Sequence, residues 1–225
     1  AILMDTLAKH GVDTRHVKHA AGPSGHTVIQ VDSSGQNSII VFVGENMRVL
    51  DEDIERVLSG FEKGDLLILQ NELDHSPAIM RMASKRGMTI IFNPSPVNST
   101  LNSYPLACVD WFLLNEIEGK ALTQETEPKQ ILAALKALYP NAGVVLTLGE
   151  DGAYCMHGEE TLYQPAFPVQ PVDTTAAGDT FTGYFVTGLS RGEDLSKVME
   201  RAAKAAAIAV SRPGAAESIP YANKV

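Results

Sequence analysis

The sequence predicts an α/β fold: a mostly parallel sheet with helices on both faces and a small, partial β lid. Three observations carry this. Short runs that are apolar nearly throughout, Leu66–Gln70, Thr89–Asn93, 111–114 and 144–148, have the composition of strands covered on both faces. Helical patterns lie between them, giving the β-α-β alternation of a parallel sheet. A chain of 225 residues, 44% hydrophobic and 20% charged, suits one soluble domain with a sizeable core.

Taken in order, Ile2, Leu3, Leu7 and Ala8 recur at helical spacing, and Gly11 follows as a stop signal. No N-cap and no strand precede them, so the chain reads as starting inside a helix, with an upstream segment missing. Two β-rich stretches, His26–Val31 and 38–43, flank Asp32-Ser33-Ser34-Gly35-Gln36, whose glycine signals a hairpin. Residues 26–43 are the expected lid. After the run at Leu66–Gln70, residues Ala78, Ile79, Met82 and Ala83 give a helix that stops at Gly87. Helices are predicted near 116–122 and 130–138. Residues 154–156 and 162–163 read as short antiparallel strands at one margin. Helices near 178–189 and Leu195–Val210 close the chain. No repeat, low-complexity tract or linker interrupts it, so 1–225 reads as a single domain that contains the lid.

Composition excludes several functions. Lys and Arg number 18 against 27 Asp and Glu, a formal net charge of −9, whereas nucleic-acid binders usually carry a basic face. No run approaches the roughly 18 apolar residues of a membrane span. Ala1-Ile2-Leu3-Met4-Asp5 lacks the basic start and apolar core of a signal peptide. A cytoplasmic protein is expected, with Cys108 and Cys155 as buried, reduced thiols. The 6 histidines show no metal-ligand spacing, and the sequon Asn98-Ser99-Thr100 reads as chance.

In open α/β sheets ligands lie beyond the carboxyl ends of the strands. The segment Asp173-Thr174-Thr175-Ala176-Ala177-Gly178-Asp179-Thr180-Phe181 leads into a helical pattern of Phe181, Tyr184, Phe185 and Leu189. Small residues there leave the N–H groups of 176–179 free at a helix N-terminus, an anion site with about half a positive charge behind it. A plain N-cap is the alternative, but a cap needs no run of Ala-Ala-Gly, whereas close approach to a ligand does. Asn115 and Glu118, where a strand passes into a helix, read either as its cap and first-turn acid or as ligand contacts. Thr147, Gly149 and Gly152 read as a tight turn or a ligand loop, and Glu72 as a solvated loop residue or a substrate contact.

Asp-Thr-Thr-Ala-Ala-Gly-Asp-Thr-Phe resembles the C-terminal signature of the ribokinase (PfkB) family of carbohydrate kinases. So do Asn115-Glu116-Ile117-Glu118, Thr147-Leu148-Gly149-Glu150-Asp151-Gly152 and Ala209-Val210-Ser211-Arg212-Pro213-Gly214-Ala215, which match further family elements over nearly the whole chain. The resemblance implies a ribokinase-like fold and ATP-dependent phosphorylation of a sugar hydroxyl. Asp179 would be the general base, and the N–H groups of Ala176, Ala177 and Gly178 would stabilise the transferred phosphoryl group. Asn115, Thr147, Gly149, Glu150, Gly152 and Gly178 would contact nucleotide, and Glu118 would order Mg²⁺ through water. Potassium would sit among Asp173, Thr175, Ala209, Arg212, Gly214 and Ser218, mostly on backbone carbonyls. Glu72 would bind the sugar. That glutamate, Asn93-Pro94-Ser95-Pro96 and the Ala-Ala-Gly-Asp turn favour ribose; fructose, a sugar acid, a nucleoside or a non-catalytic nucleotide-binding remnant are the alternatives.

Departures from the pattern are equally specific. The family's substrate-binding Asp and Gly-Gly loop have no counterpart and should lie upstream of Ala1. Ala203 stands where ribokinases carry an Asn or His near the adenine. The chain is therefore expected to bind nucleotide without turning over sugar, and to self-associate as a homo-oligomer, a dimer, through an uncovered sheet flank.

Overall fold

The computed structural model describes residues 2–31 and 37–225, so the hairpin turn expected at 32–36 lies outside the described residues. Helix α1 (Ile2–Lys9) ends before Gly11, which takes φ +72°. Strands β1 (His26–Val31) and β2 (Asn37–Phe42) pair antiparallel as their own two-stranded sheet, His26 opposite Phe42 and Val31 opposite Asn37.

The main sheet has six strands: β3 (Leu66–Gln70), β4 (Thr89–Asn93), β5 (Trp111–Asn115), β6 (Gly143–Thr147), β7 (Ala153–His157) and β8 (Glu160–Gln164), adjacent in that order. Strands β3 to β6 run parallel, while β7 and β8 return antiparallel at one margin. The antiparallel pair predicted at 154–156 and 162–163 is thus present and longer.

Period-two alternation splits the parallel strands between two cores. Ile90, Phe92, Phe112, Leu114, Val144 and Leu146 face one side. There they meet α2 (Asp51–Leu58), α3 (Ser76–Lys85), α4 (Glu116–Thr123) and α5 (Pro128–Leu138) through Ile54, Met80, Ile131 and Leu135 among others. Ile91, Trp111, Leu113 and Val145 face the other side, packing on Phe181, Phe185, Val198 and Met199 of α6 (Ala177–Ser190) and α7 (Leu195–Val210). Helix α2 carries no apolar stripe that the sequence reading used. Its signal is the acidic first turn Asp51, Glu52 and Asp53, which suits a helix N-terminus.

Cys155 is buried at 1% exposure, and burial pushes its thiol up to about 12. Cys108 is only half-buried, which corrects the expectation of two buried thiols, because it lies in a short 3₁₀ turn before β5. Among the described residues no helix is long and apolar enough to cross a membrane.

Gly143 opens β6 directly over the Trp111 ring, and a Cβ there would stand 2.4 Å from a ring carbon. Gly143→Ala should therefore lower stability by about 1–3 kcal/mol, the usual cost of overpacking a tight core. Urea unfolding followed by Trp111 fluorescence checks this; an unchanged midpoint would contradict it.

Candidate active site

Each parallel strand carries an apolar run that ends on a polar residue: Gln70, Asn93, Asn115 and Thr147. These pair across the sheet, Gln70 with Asn93 and Asn115 with Thr147, so one edge gathers the polar groups. At the end of β5, Asn115 and Glu118 form a reciprocal capping box. The Asn115 Oδ1 accepts from the N–H groups of Ile117 (2.8 Å) and Glu118 (3.1 Å), and the Asn115 N–H donates to Glu118 Oε2 at 2.7 Å. Asn115 Nδ2 donates to Glu118 Oε1 at 3.0 Å. The cap alternative is thus realised, yet Glu118 is 7% exposed at a place where a cap alone needs no burial. Burial raises its carboxyl above the ordinary range, against the lowering pull of the Asn115 hydrogen bonds.

After β6 the chain enters a tight loop. Thr147 Oγ1 lies 3.4 Å from the Leu114 carbonyl, and Gly149 takes φ +57° with open space where a Cβ would be. Gly152, at φ +97°, has a second reason to be glycine: a Cβ would stand 2.2 Å from the Gln164 carbonyl at the end of β8. Helix α6 begins beside this loop. Ala176 precedes it in the left-handed region (φ 61°, ψ 12°), with no side-chain cap. Gly178 has open space around its Cα, and Asp179 is exposed in the first turn. One expectation needs correcting. The Ala177 N–H is not free, since it donates to the Thr174 carbonyl at 3.3 Å, closing the turn; the N–H groups of Gly178 and Asp179 have no backbone acceptor among the described residues.

A cavity of about 800 Å³ joins these parts. Its lining combines residues of the loop after β6 and the start of α6, Thr147, Gly149, Glu150, Gly152, Thr174, Ala177 and Gly178, with apolar Phe167, Pro168, Val169, Ala203 and Val210. The sequence reading missed the 167–169 wall. Its signal was available: an apolar, proline-bearing run between a strand and a helix, belonging to neither pattern. Asp179 follows the lining residue Gly178 and Asn115 pairs with Thr147 across the sheet, but neither they nor Glu118 are among the lining residues. Glu72 is exposed beyond the end of β3, outside the lining altogether.

The residues expected around a monovalent cation do converge. Asp173 Oδ1 accepts from the Thr175 N–H at 2.9 Å, and Oδ2 accepts from the Gly214 N–H at 3.0 Å across 41 residues of chain. These bonds, Thr175 first, hold the Asp173 carboxyl below the usual range. The Ala209 carbonyl accepts the Arg212 N–H at 3.1 Å, and Arg212 Nη1 reaches the carbonyl of the buried Ser218 at 3.5 Å. Carboxylate and carbonyl oxygens of this kind could hold K⁺, which trades its hydration shell for such groups. Glu118 could hold Mg²⁺ through water, because each carboxylate oxygen keeps a lone pair beyond those that Asn115 uses.

The sequence and the fold have known counterparts. Residues 1–222 match the model of the pfkB family carbohydrate kinases. The ribokinase of Staphylococcus aureus (strain COL) is 32% identical, the match covering 100% of this chain and 76% of that protein. The crystal structure of Cryptococcus neoformans var. grubii ribokinase in complex with ADP is similar at a TM-score of 0.84 and 31% identity, over 99% of this chain and 77% of that one. Arabidopsis thaliana ribokinase complexed with ribose and ATP gives 0.74 and 32%, over 89% and 67%. The chain belongs to the pfkB family of carbohydrate kinases.

Because burial raises the Glu118 carboxyl on folding, its contribution to stability is present below the ordinary glutamate range and is lost as pH rises through its folded value. Glu118→Gln keeps an acceptor for the Asn115 N–H and removes the titration. Its stability relative to wild type should improve from pH 4 to pH 7, measured by urea unfolding at both. A pH-independent difference would contradict the burial argument.

Proposed function

We propose that the protein transfers the γ-phosphoryl group of ATP to a hydroxyl of ribose. One observation carries this: helix α6 opens into the cavity with Gly178 uncovered and a carboxylate, Asp179, exposed in its first turn. Triphosphate oxygens suit the helix N-terminus, where N–H groups and the helix dipole favour negative charge. The apolar lining residues, Phe167, Pro168, Val169 and Ala203 among them, would then take the base. The relatives' names support ribose, as do Glu72 and the 93–96 stretch at the neighbouring strand ends.

In the proposed reaction Asp179 accepts the proton of the sugar hydroxyl as its oxygen attacks the γ-phosphorus. The new O–P bond forms while the bond to the β-phosphate oxygen breaks, and ADP leaves with the electron pair. The N–H groups of Gly178 and Asp179 stabilise charge on the phosphoryl oxygens, where one such donor typically contributes about 10²–10³ in rate. Mg²⁺, when bound, would offset charge on the β and γ phosphates. Glu118 is proposed to hold its water, and Asn115 to keep that carboxylate aimed. The Asp173–Gly214 contact is proposed to order the turn before α6, with K⁺ beside it. We further propose that the protein works in the cytoplasm, where Cys108 and Cys155 stay reduced, and as a homo-oligomer, since Ile68 on the margin strand β3 is 49% exposed.

In a form that carries the family's substrate-binding Asp and Gly-Gly loop, a panel of sugars scored by ADP release should rank ribose first; an equal response to every sugar would reject that substrate. Asp179→Asn should lower kcat at least about 10²-fold, since a positioned base is worth that much, with ADP affinity by calorimetry nearly unchanged. Activity within a few-fold of wild type would sink the base assignment. Exchanging K⁺ for a large organic cation should depress kcat more than nucleotide binding; identical rates in both salts would reject the cation reading of Asp173, Arg212 and Ser218.

A further inference from the structure

Glu72 is exposed, yet the residues on either side of it are anchored. On one side Asn71, the first residue after β3, is 6% exposed. A buried amide is costly unless it is bonded, and both polar atoms of this side chain are. Its Nδ2 donates to the Pro96 carbonyl at 2.5 Å, and its Oδ1 accepts from the Tyr104 hydroxyl at 2.6 Å. The amide has one possible orientation, because the Pro96 carbonyl can only accept. Tyr104 packs in turn against Phe92, ring centroids 5.9 Å apart. On the other side Leu73 packs against the core that α2 to α5 cover. Its carbonyl accepts the hydroxyl of the fully buried Ser76 at 3.0 Å. A glutamate that meets only solvent needs neither anchor. A carboxylate that must meet a ligand at a fixed place does, because a binding group is effective only when the segment carrying it is held.

The 93–96 stretch is held by the same asparagine. Gln70 and Asn93 are the last pair of the β3–β4 ladder, and the Asn71 N–H carries the pairing one step further, donating to the Ser95 carbonyl at 2.9 Å. The Asn93 Oδ1 accepts the Ser95 N–H at 2.9 Å from within that loop. Asn71 thus joins into one unit the two segments that favour a sugar. Neither it nor Glu72, Ser95, Pro96 or Tyr104 lines the cavity assigned to the nucleotide. We propose that Asn71 is a positioning residue for the sugar: it fixes the backbone carrying Glu72 against residues 95 and 96, and so sets the affinity for ribose and not for nucleotide. The inference rests on the reading of Glu72 as a ribose contact.

Calorimetry on a form that carries the family's substrate-binding Asp and Gly-Gly loop tests it through two affinities, for ribose and for ADP. Asn71→Leu, close in size, should weaken ribose binding about tenfold, the lower end for losing a hydrogen bond to a charged group. ADP affinity should hold within about twofold, whereas a misfolded fraction would weaken both ligands alike. Glu72→Gln should weaken ribose binding at least as much. Adding Asn71→Leu to it should cost less than about twofold more, as expected for residues acting through one contact. Additive losses, an equal fall in ADP affinity, or unchanged ribose affinity in Asn71→Leu would overturn the proposal. If Asn71→Leu does not fold, Tyr104→Phe leaves the Asn71 Oδ1 without its donor and enters the same cycle with Glu72→Gln, judged by the same outcomes. Glu72→Gln also separates the two claims. Ribose affinity untouched in that variant, or a wild type that binds no ribose, overturns the Glu72 reading together with the inference. A loss there with none in Asn71→Leu overturns the inference alone.

Discussion

A parallel sheet buried on both faces can meet water only at its ends, and the rest of this structure follows from that constraint. Strands β4 to β6 put Phe92, Phe112, Val144 and Val145 at 0% exposure, so no charged group can stand beside them. Polarity begins at Gln70, Asn93, Asn115 and Thr147, one residue from the core, and the segments that carry Glu72, Glu118 and Gly149 start there. The apolar strands make the edge rigid, and the edge makes the side chains beyond it repeatable in position. Glu118 shows the limit of the arrangement. Its carboxylate is drawn below the surface, where the hydrogen bonds from Asn115 favour its charged form.

Helix α6 adds the electrostatic part. For it to start at the loop after β6, the chain must turn sharply at Ala176, which takes a left-handed conformation that costs an L-residue roughly 1–2 kcal/mol. Local bonds offset it. The Ala176 carbonyl accepts from both the N–H and the hydroxyl of Thr180, each at 2.8 Å, and Asp173 ties the preceding residues to Gly214. The turn leaves the Gly178 and Asp179 N–H groups without a backbone acceptor among the described residues, groups that an ordinary side-chain cap would have used up.

Much of this was legible in the sequence, and for a physical reason. Apolar runs such as 144–148 announce buried strands because little else is uniformly apolar over so few residues, and the structure moves that strand by one residue only. The Ala-Ala-Gly-Asp segment announced the turn before α6, because only small residues leave a helix start uncovered. What stayed hidden depends on tertiary contact. Helix α2 has a short apolar face, Ile54 and Leu58, that says little until α3 is beside it. The wall at 167–169 has no period of its own. Asn71 reads as an ordinary loop asparagine until Pro96 and Tyr104, 25 and 33 residues away, are seen to close on it. Hydrogen bonds between distant loops leave no local pattern.

A crystal structure with ADP, aluminium fluoride, magnesium and ribose would probe the phosphoryl site most directly. The fluoride ligands should lie within hydrogen-bond distance, about 3 Å, of the Gly178 and Asp179 N–H groups, with the Asp179 carboxylate equally close to the attacking ribose hydroxyl. Nucleotide bound with its terminal phosphate away from the start of α6, and Asp179 facing solvent, would contradict the role given to that helix.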